Sequence, residues 1–144
     1  MIIRQYRADD LDAMCSLMAD LGYPTEQDAM MARLERMQQD ASYHTFMAEH
    51  DGEVVGMAGV RLSLAYEIDD IVVQISALVI KRQYQNRGFG KQIIRHVEQW
   101  AKQQGSTHIV LTSGIKAERQ QAHQFYKNAG FQITGYRFAK DLNH

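Results

Sequence analysis

The sequence predicts a mixed α/β fold: a mostly antiparallel sheet flanked by helices. Three observations carry that reading. Ile71–Ile80 is a run dense in Val and Ile, bounded by charged residues, as buried strands are. Phe89, Ile93, Ile94, Val97, Trp100 and Ala101 recur at helical spacing directly after it. Asp51-Gly52 sits between two apolar runs, where Asp-Gly is a strong hairpin signal.

The remaining elements follow in order. Residues 2–6 read as a first strand. Ala8-Asp9-Asp10 caps a helix carrying Leu11, Met14, Leu17, Met18 and Leu21. Gly22-Tyr23-Pro24 breaks it. Thr25-Glu26-Gln27-Asp28 opens a second helix with Met30, Leu34 and Met37 inward, and Thr25 with Asp28 resembles a capping box. Residues 44–49 and 54–64 are the arms of the hairpin across His50-Asp51-Gly52-Glu53. Ile71–Ile80 is the fourth strand. The next helix runs from Gly88 to Gln104 and stops at Gly105, before a fifth strand over 107–112. Ala122, Phe125, Tyr126 and Ala129 share one helix face, with Gly130 placed as its C-terminal stop. Two last strands are expected, over 131–137 and through Leu142. No linker or repeat interrupts the chain, so residues 1–144 read as one domain.

Composition narrows the function classes. A chain of 144 residues, 45% apolar and 23% charged, is long enough for a real core. A net charge of −1 argues against nucleic acid as a partner, which needs a basic surface. The lone Cys15 cannot form an intramolecular disulfide, and its place among Met14, Met18 and Leu21 suits packing. No apolar run is long enough for a membrane span, and Met1-Ile2-Ile3-Arg4 lacks a signal-peptide pattern. A cytoplasmic location is expected. His44, His50, His96, His108 and His144 make no metal spacing with one another or with Cys15, so no metal is expected. No Gly-x-Ser-x-Gly elbow is present.

The stretch Gln85-Asn86-Arg87-Gly88-Phe89-Gly90-Lys91 lies between the fourth strand and the helix that follows it. The first N–H groups of a helix have no partner within it and carry partial positive charge. Gly88 and Gly90 admit a bulky anion close to the main chain, and Arg87 and Lys91 add full charges. The dinucleotide fingerprint fails, because its third small residue would be Ile93. The nucleotide P-loop fails too, because Gln85 and Gln92 stand at its first and last positions. What remains is Gln-x-x-Gly-x-Gly after Leu78-Val79-Ile80, followed some forty residues on by Ala122-His123-Gln124-Phe125-Tyr126-Lys127-Asn128-Ala129-Gly130-Phe131.

These two segments, in this order, resemble the GNAT superfamily of N-acetyltransferases. Its cofactor loop reads [Gln/Arg]-x-x-Gly-x-[Gly/Ala], and its second signature reads Ala-x-x-(aromatic)-Tyr-x-x-x-Gly-Phe. The run from Ala122 to Tyr126, with Tyr136-Arg137-Phe138-Ala139-Lys140, is similar to the aminoalkylphosphonate N-acetyltransferases of bacteria. The resemblance implies a GNAT-like sheet whose fourth and fifth strands run parallel and splay apart. It also implies acetyl-CoA as co-substrate, bound by Leu78, Val79, Ile80, Gln85, Asn86, Arg87, Gly88, Phe89, Gly90 and Lys91. One departure is Arg119, where many relatives have Asn; its role stays open.

The implied reaction is direct attack of a small molecule's primary amine on the thioester, within a ternary complex. A backbone N–H of the Leu78-Val79-Ile80 strip would hold the oxyanion. Tyr126 would be the general acid for the departing thiolate. Transfer from a phenol of pKa ~10 to a thiolate of pKa ~8.5 is uphill by only about 2 kcal/mol. The base is less legible. Ser76 and Ala77 occupy the strand centre where some relatives carry an acid, leaving Glu67, Asp69 and Asp70 as water-mediated candidates and His123 as another. Arg137 and Lys140 are candidates for an anionic substrate group, though alternating charges on an end strand suit a surface equally. The acceptor pocket is expected from the turn over 21–28, the loop over 64–70 and the last strands, with Tyr23 and Tyr66 lining it. A homodimer fits the exposed sheet ends of such a domain. The alternatives are a peptide or protein N-acetyltransferase, a non-catalytic acyl-CoA sensing module, and an interaction subunit without cofactor.

Overall fold

The computed structural model describes residues 1–114 and 119–143. They fall into two compact units, Met1–Leu111 and Thr112–His144. The first holds a sheet of β1 (Ile2–Gln5), β2 (Tyr43–His50), β3 (Glu53–Ser63), β4 (Ile71–Ile80) and β5 (Ser106–Leu111), in that spatial order. Helices α1 (Leu11–Leu21) and α2 (Gln27–Gln38) lie between β1 and β2, and α3 (Phe89–Gln103) between β4 and β5. The first three pairings are antiparallel, and β4 pairs β5 in parallel. The β4–β5 ladder ends at Ile75 opposite Leu111, and β4 continues past it to Ile80.

Two apolar layers hold the sheet. Met14 and Leu17 of α1 and Met30 and Leu34 of α2 pack on Met47, Met57 and Val79. On the other face α3 buries Phe89, Ile93, Ile94, Val97 and Ala101, as its periodicity predicts. Trp100 and His96 meet Phe46 edge-on, with ring centres 5.4 and 5.1 Å away. Gly56 lets α3 approach: a β-carbon there would stand 2.8 Å from Ile80 Cδ1 and 3.2 Å from Ile93 Cδ1. The hairpin turn matches its signal, with both Asp51 and Gly52 at positive φ, as a two-residue primed turn requires.

Several local expectations are corrected. Thr25 does not cap α2; its hydroxyl donates to the Tyr23 carbonyl at 2.9 Å, and Glu26 precedes the helix. Met37 is 38% exposed rather than inward, because α2 meets the sheet through Met30 and Leu34. Asp10 stands before α1 but makes no side-chain cap bond to it. Its carboxylate accepts the Arg7 N–H and both Nη groups of Arg4, tying β1 to the start of α1.

The second unit contains α4 (Gln120–Asn128), closed by Gly130 at φ 96°. The strands expected over 131–137 and through Leu142 are not formed. A strand needs a neighbour for its main-chain groups, and among the described residues no ladder reaches this segment. Ile133, Tyr136, Phe138 and Leu142 stand exposed along it.

Candidate active site

In the first unit, β4 runs into a short 3-10 turn (Arg82–Tyr84), then a loop, then α3. The Lys81 N–H donates to the Val55 carbonyl at 2.7 Å, fixing the phase of the strand end. In an antiparallel pair alternate residues turn their main-chain groups toward the partner. Val79 therefore faces β3 with Lys81, while the N–H and C=O of Leu78 and Ile80 face the opposite edge, beyond the end of the β5 ladder. The Gln85 side chain donates to the Ile80 carbonyl at 3.1 Å, so the first loop residue closes over the strand end. The side chains along this strip are apolar: Val79 is buried, and Leu78 and Ile80 are half-buried.

The loop itself is shaped by left-handed residues. Asn86 has φ 63° and Gly88 φ 84°, and Gly88 is the residue before α3. Asn tolerates that region better than most residues, and Gly occupies it freely. A β-carbon at Gly88 would find nothing within 4 Å, so the space above it is open. The first turn of α3 carries no acid to neutralise its N-terminus. Lys91 projects to solvent from that turn. The Arg87 guanidinium lies 5.2 Å from the Tyr84 ring centre and 5.3 Å from that of Phe89. An anion at this helix start would meet free N–H groups, two cations and no competing carboxylate from the first turn.

A cluster behind the loop escaped sequence reasoning. Glu53 accepts from Lys81 Nζ at 2.8 Å and from the Tyr84 hydroxyl at 2.5 Å. The Lys81 and Tyr84 hydrogen bonds hold the Glu53 carboxyl below the usual range, and the same carboxylate pushes the Tyr84 phenol up. His50 packs beside Tyr84 and Phe89, its ring centre 4.9 Å from that of Phe89. No local pattern announces this tie, because its partners are far apart in sequence.

The acids Glu67, Asp69 and Asp70 are all exposed in the turn before β4. Asp70 accepts from the Thr107 hydroxyl at 3.0 Å, joining the starts of β4 and β5. Tyr23 and Tyr66 are strongly exposed, at 60% and 107%. Cys15 is half-buried beside the α1–α2 core, and burial raises its thiol pKa. Among the described residues no group of three or more His, Cys, Asp or Glu is arranged to hold a metal; His144 lies outside them.

In the second unit, Tyr126 is half-buried on α4 between Phe125 and Phe131, with ring centres 5.4 and 5.9 Å away. Burial raises its phenol pKa, opposed by the charge of Arg119. The Phe131 N–H donates to the Tyr126 carbonyl at 3.0 Å, fixing the turn that follows Gly130. His123 Nε2 lies 2.7 Å from the Gly114 carbonyl, the contact of a donating ring N–H. That bond ties His123 of α4 to Gly114.

Comparison with known proteins gives the family and the fold. Aminoalkylphosphonate N-acetyltransferase of Salmonella typhimurium is 28% identical over 145 residues, covering 97% of this chain and 90% of the relative. An uncharacterised N-acetyltransferase of Bacillus subtilis is 26% identical, covering 88% of this chain and 87% of its own. The crystal structure of a GNAT family acetyltransferase from Staphylococcus aureus superposes with a TM-score of 0.84 at 25% identity, over 98% of both chains. The fold is also that of aminoglycoside N-acetyltransferase AAC(6')-Iy, solved in complex with CoA, at a TM-score of 0.83 and 22% identity over 99% of this chain and 95% of the other. The model of the Acetyltransferase (GNAT) family matches residues 11–131, and the chain belongs to that family.

Proposed function

We propose that this protein transfers the acetyl group of acetyl-CoA to the primary amine of a small molecule, by direct attack in a ternary complex. The observation that carries the reading is the strand-to-helix junction. It sets outward-facing main-chain groups at Leu78 and Ile80 directly before an open, cationic helix start at Gly88. Extended pantetheine amides suit the first, as an added strand does, and the pyrophosphate suits the second. Gln85, Asn86, Arg87, Phe89, Gly90 and Lys91 complete that binding strip. The family match runs across both units, which supports a single acetyltransferase domain over 1–144.

In this reading the amine lone pair attacks the carbonyl carbon. The new C–N bond forms, and the oxyanion is held by an outward N–H of the β4 strip. The C–S bond then breaks, and Tyr126 gives its proton to the departing thiolate. The amine proton leaves through water, for which Glu67, Asp69 and Asp70 are the nearest acids in sequence to β4, and the phenol recovers a proton from solvent. The name of the Salmonella relative makes aminoalkylphosphonates the first acceptor class to try.

The test is Gly88→Glu, read by thermal stabilisation with CoA and by thiol release from acetyl-CoA against a panel of amines. The new carboxylate stands where the pyrophosphate would sit, so CoA stabilisation is expected to vanish. Gly88→Asn keeps a residue that tolerates positive φ and adds no charge, which separates repulsion from backbone strain. Undiminished CoA binding by a folded Gly88→Glu protein overturns the cofactor assignment. CoA stabilisation of the wild type, with no thiol release from any amine, favours the sensing module.

A further inference from the structure

We propose that Arg61, positioned by Gln74 and Tyr43, seats an oxyanion group carried by the acceptor amine, so that the preferred substrates are small amino acids in the broad sense: amines bearing a phosphonate, sulfonate or carboxylate. The inference rests on the acetyltransferase reading and deepens it.

The three residues stand side by side on three neighbouring strands. Tyr43 of β2 is registered with Arg61 of β3, and Arg61 with Gln74 of β4. Registered residues in antiparallel strands share a face, and every second residue along a strand returns to it. Counting back through Gly59 to Met57, Arg61 lies on the α1–α2 face. Gln74 reaches that face because the register shifts between Gly59 and Val60: Ala77 pairs Gly59, Ile75 pairs Val60, and Ser76 is the extra residue. A bulge that re-aims one side chain often marks a functional position.

The charge on Arg61 is unbalanced. Its Nη2 donates to the neutral Gln74 Oε1 at 2.7 Å, and its guanidinium carbon sits 5.9 Å from the Tyr43 ring centre. Its Nε is buried with no acceptor. Among the described residues no carboxylate forms an ion pair with it. The Asp40 carboxylate feels its charge but accepts from the main chain and hydroxyl of Ser42 instead. A half-buried guanidinium with one neutral acceptor has a fork of donors left for a planar or tetrahedral oxyanion.

The row between Arg61 and the β4 strip carries small side chains. Between the row of Tyr43, Arg61 and Gln74 and the apolar row of Met47, Met57 and Val79 lies a row of Thr45, Gly59 and Ala77. At Gly59 a β-carbon would meet nothing closer than Met57 Cε at 3.7 Å. Ala77 directly precedes Leu78, whose main-chain groups face the open edge. Gln74 and Ala77 face Arg61 and Gly59, two residues apart on β3, and strand residues advance about 3.3 Å each, so the bulge leaves Gln74 roughly 7 Å from Ala77. A short aminoalkyl chain and an extended arginine side chain can divide that distance.

The experiment compares 2-aminoethylphosphonate, taurine and β-alanine with neutral propylamine and ethanolamine, in wild type, Arg61→Gln and Arg61→Lys. Thiol release from acetyl-CoA gives kcat and KM. Calorimetric titration of 2-aminoethylphosphonate, with and without CoA, reads the seat independently of turnover. The three anionic probes show which oxyanion is preferred. We expect wild type to favour anionic over neutral acceptors. Arg61→Gln should raise KM for the anionic set by roughly tenfold to a hundredfold, with kcat and the neutral amines little changed. Arg61→Lys should recover part of the loss, having charge without the fork. Equal effects on both acceptor sets, or wild type without preference, overturn the oxyanion seat. So does a protein that binds CoA but gives no heat with 2-aminoethylphosphonate. Failure to bind CoA at all counts instead against the acetyltransferase reading.

Discussion

The Tyr84 hydroxyl donates to Glu53 at 2.5 Å, joining the residue before the Gln85–Gly88 loop to the start of β3. Lys81 Nζ reaches the same carboxylate at 2.8 Å. One acid thus anchors both ends of the 3-10 turn that delivers the loop. Arg87 rests over the Tyr84 ring, so the tie also fixes where that cation stands.

Removing the tie should loosen the loop without touching the reacting atoms. Tyr84→Phe and Glu53→Gln are each expected to raise KM for acetyl-CoA several-fold while kcat is held. The double variant should cost less than the sum of the two singles, since both act on the one Tyr84–Glu53 hydrogen bond. Steady-state kinetics with varied acetyl-CoA check this. A fall in kcat at constant KM would place the tie's effect elsewhere.

Tyr126→Phe should leave CoA affinity intact and slow turnover by about a hundredfold, the usual lower range for a lost general acid. Burial raises the Tyr126 pKa, so the phenol keeps its proton beyond its ordinary value of ~10. A donor loses activity as pH rises through its own pKa. The wild-type alkaline limb should therefore lie above that ordinary value, and Tyr126→Phe should lack it. A pH–rate profile in both proteins decides the matter, and identical limbs would remove Tyr126 from the proton transfer.

The difference between what the sequence disclosed and what it hid follows from the range of each interaction. Ile71–Ile80, the α3 face and the Asp51-Gly52 turn are local patterns, and each forms where its pattern lies. Gly88 and Gly130 are legible for the same reason: a required positive φ points to one residue type. The Tyr84–Glu53 hydrogen bond and the 2.6 Å Arg4–Glu49 ion pair join residues 31 and 45 positions apart, which no local spacing encodes. The segment after Gly130 shows the converse. Its apolar residues suit a strand, yet a strand exists only where a neighbour accepts its hydrogen bonds. The sequence singles out no base, since an acid acting through water needs no fixed spacing from the strand.

Asp10 should govern acid stability. Its side chain is 5% exposed, and the bond from Arg4 holds its carboxyl below the ordinary range, against the opposing effect of burial. A depressed folded-state pKa adds stability that is fully present above the unfolded value of ~3.9 and is lost as pH falls through the folded one. Asp10→Asn should cost about 1.5–3 kcal/mol at pH 7, and that cost should shrink between pH 4 and pH 2. Urea unfolding across this range measures it. A difference that stays constant with pH would mean that packing, not charge, is what Asp10 supplies.

Gly56→Ala tests whether core packing sets the β4 strip proposed to bind acetyl-CoA. The added methyl would stand 2.8 Å from Ile80 Cδ1, 3.0 Å from the Val79 carbonyl oxygen and 3.2 Å from Ile93 Cδ1. The Ile80 methyl can swing aside, but the Val79 carbonyl belongs to the β4 main chain and can yield only if the strand moves. Overpacking of this kind costs about 1–3 kcal/mol. The displaced residues flank the outward-facing groups of Leu78 and Ile80, so KM for acetyl-CoA should rise together with the fall in melting temperature. Arg61 lies beyond Gly59 on the same strand, past the register shift, and acceptor preference should be unchanged. Thermal denaturation and kinetics on one preparation give both readouts. A melting loss with unaltered KM would show that the strip tolerates motion beneath it, and that the loop at Gly88 carries the binding alone.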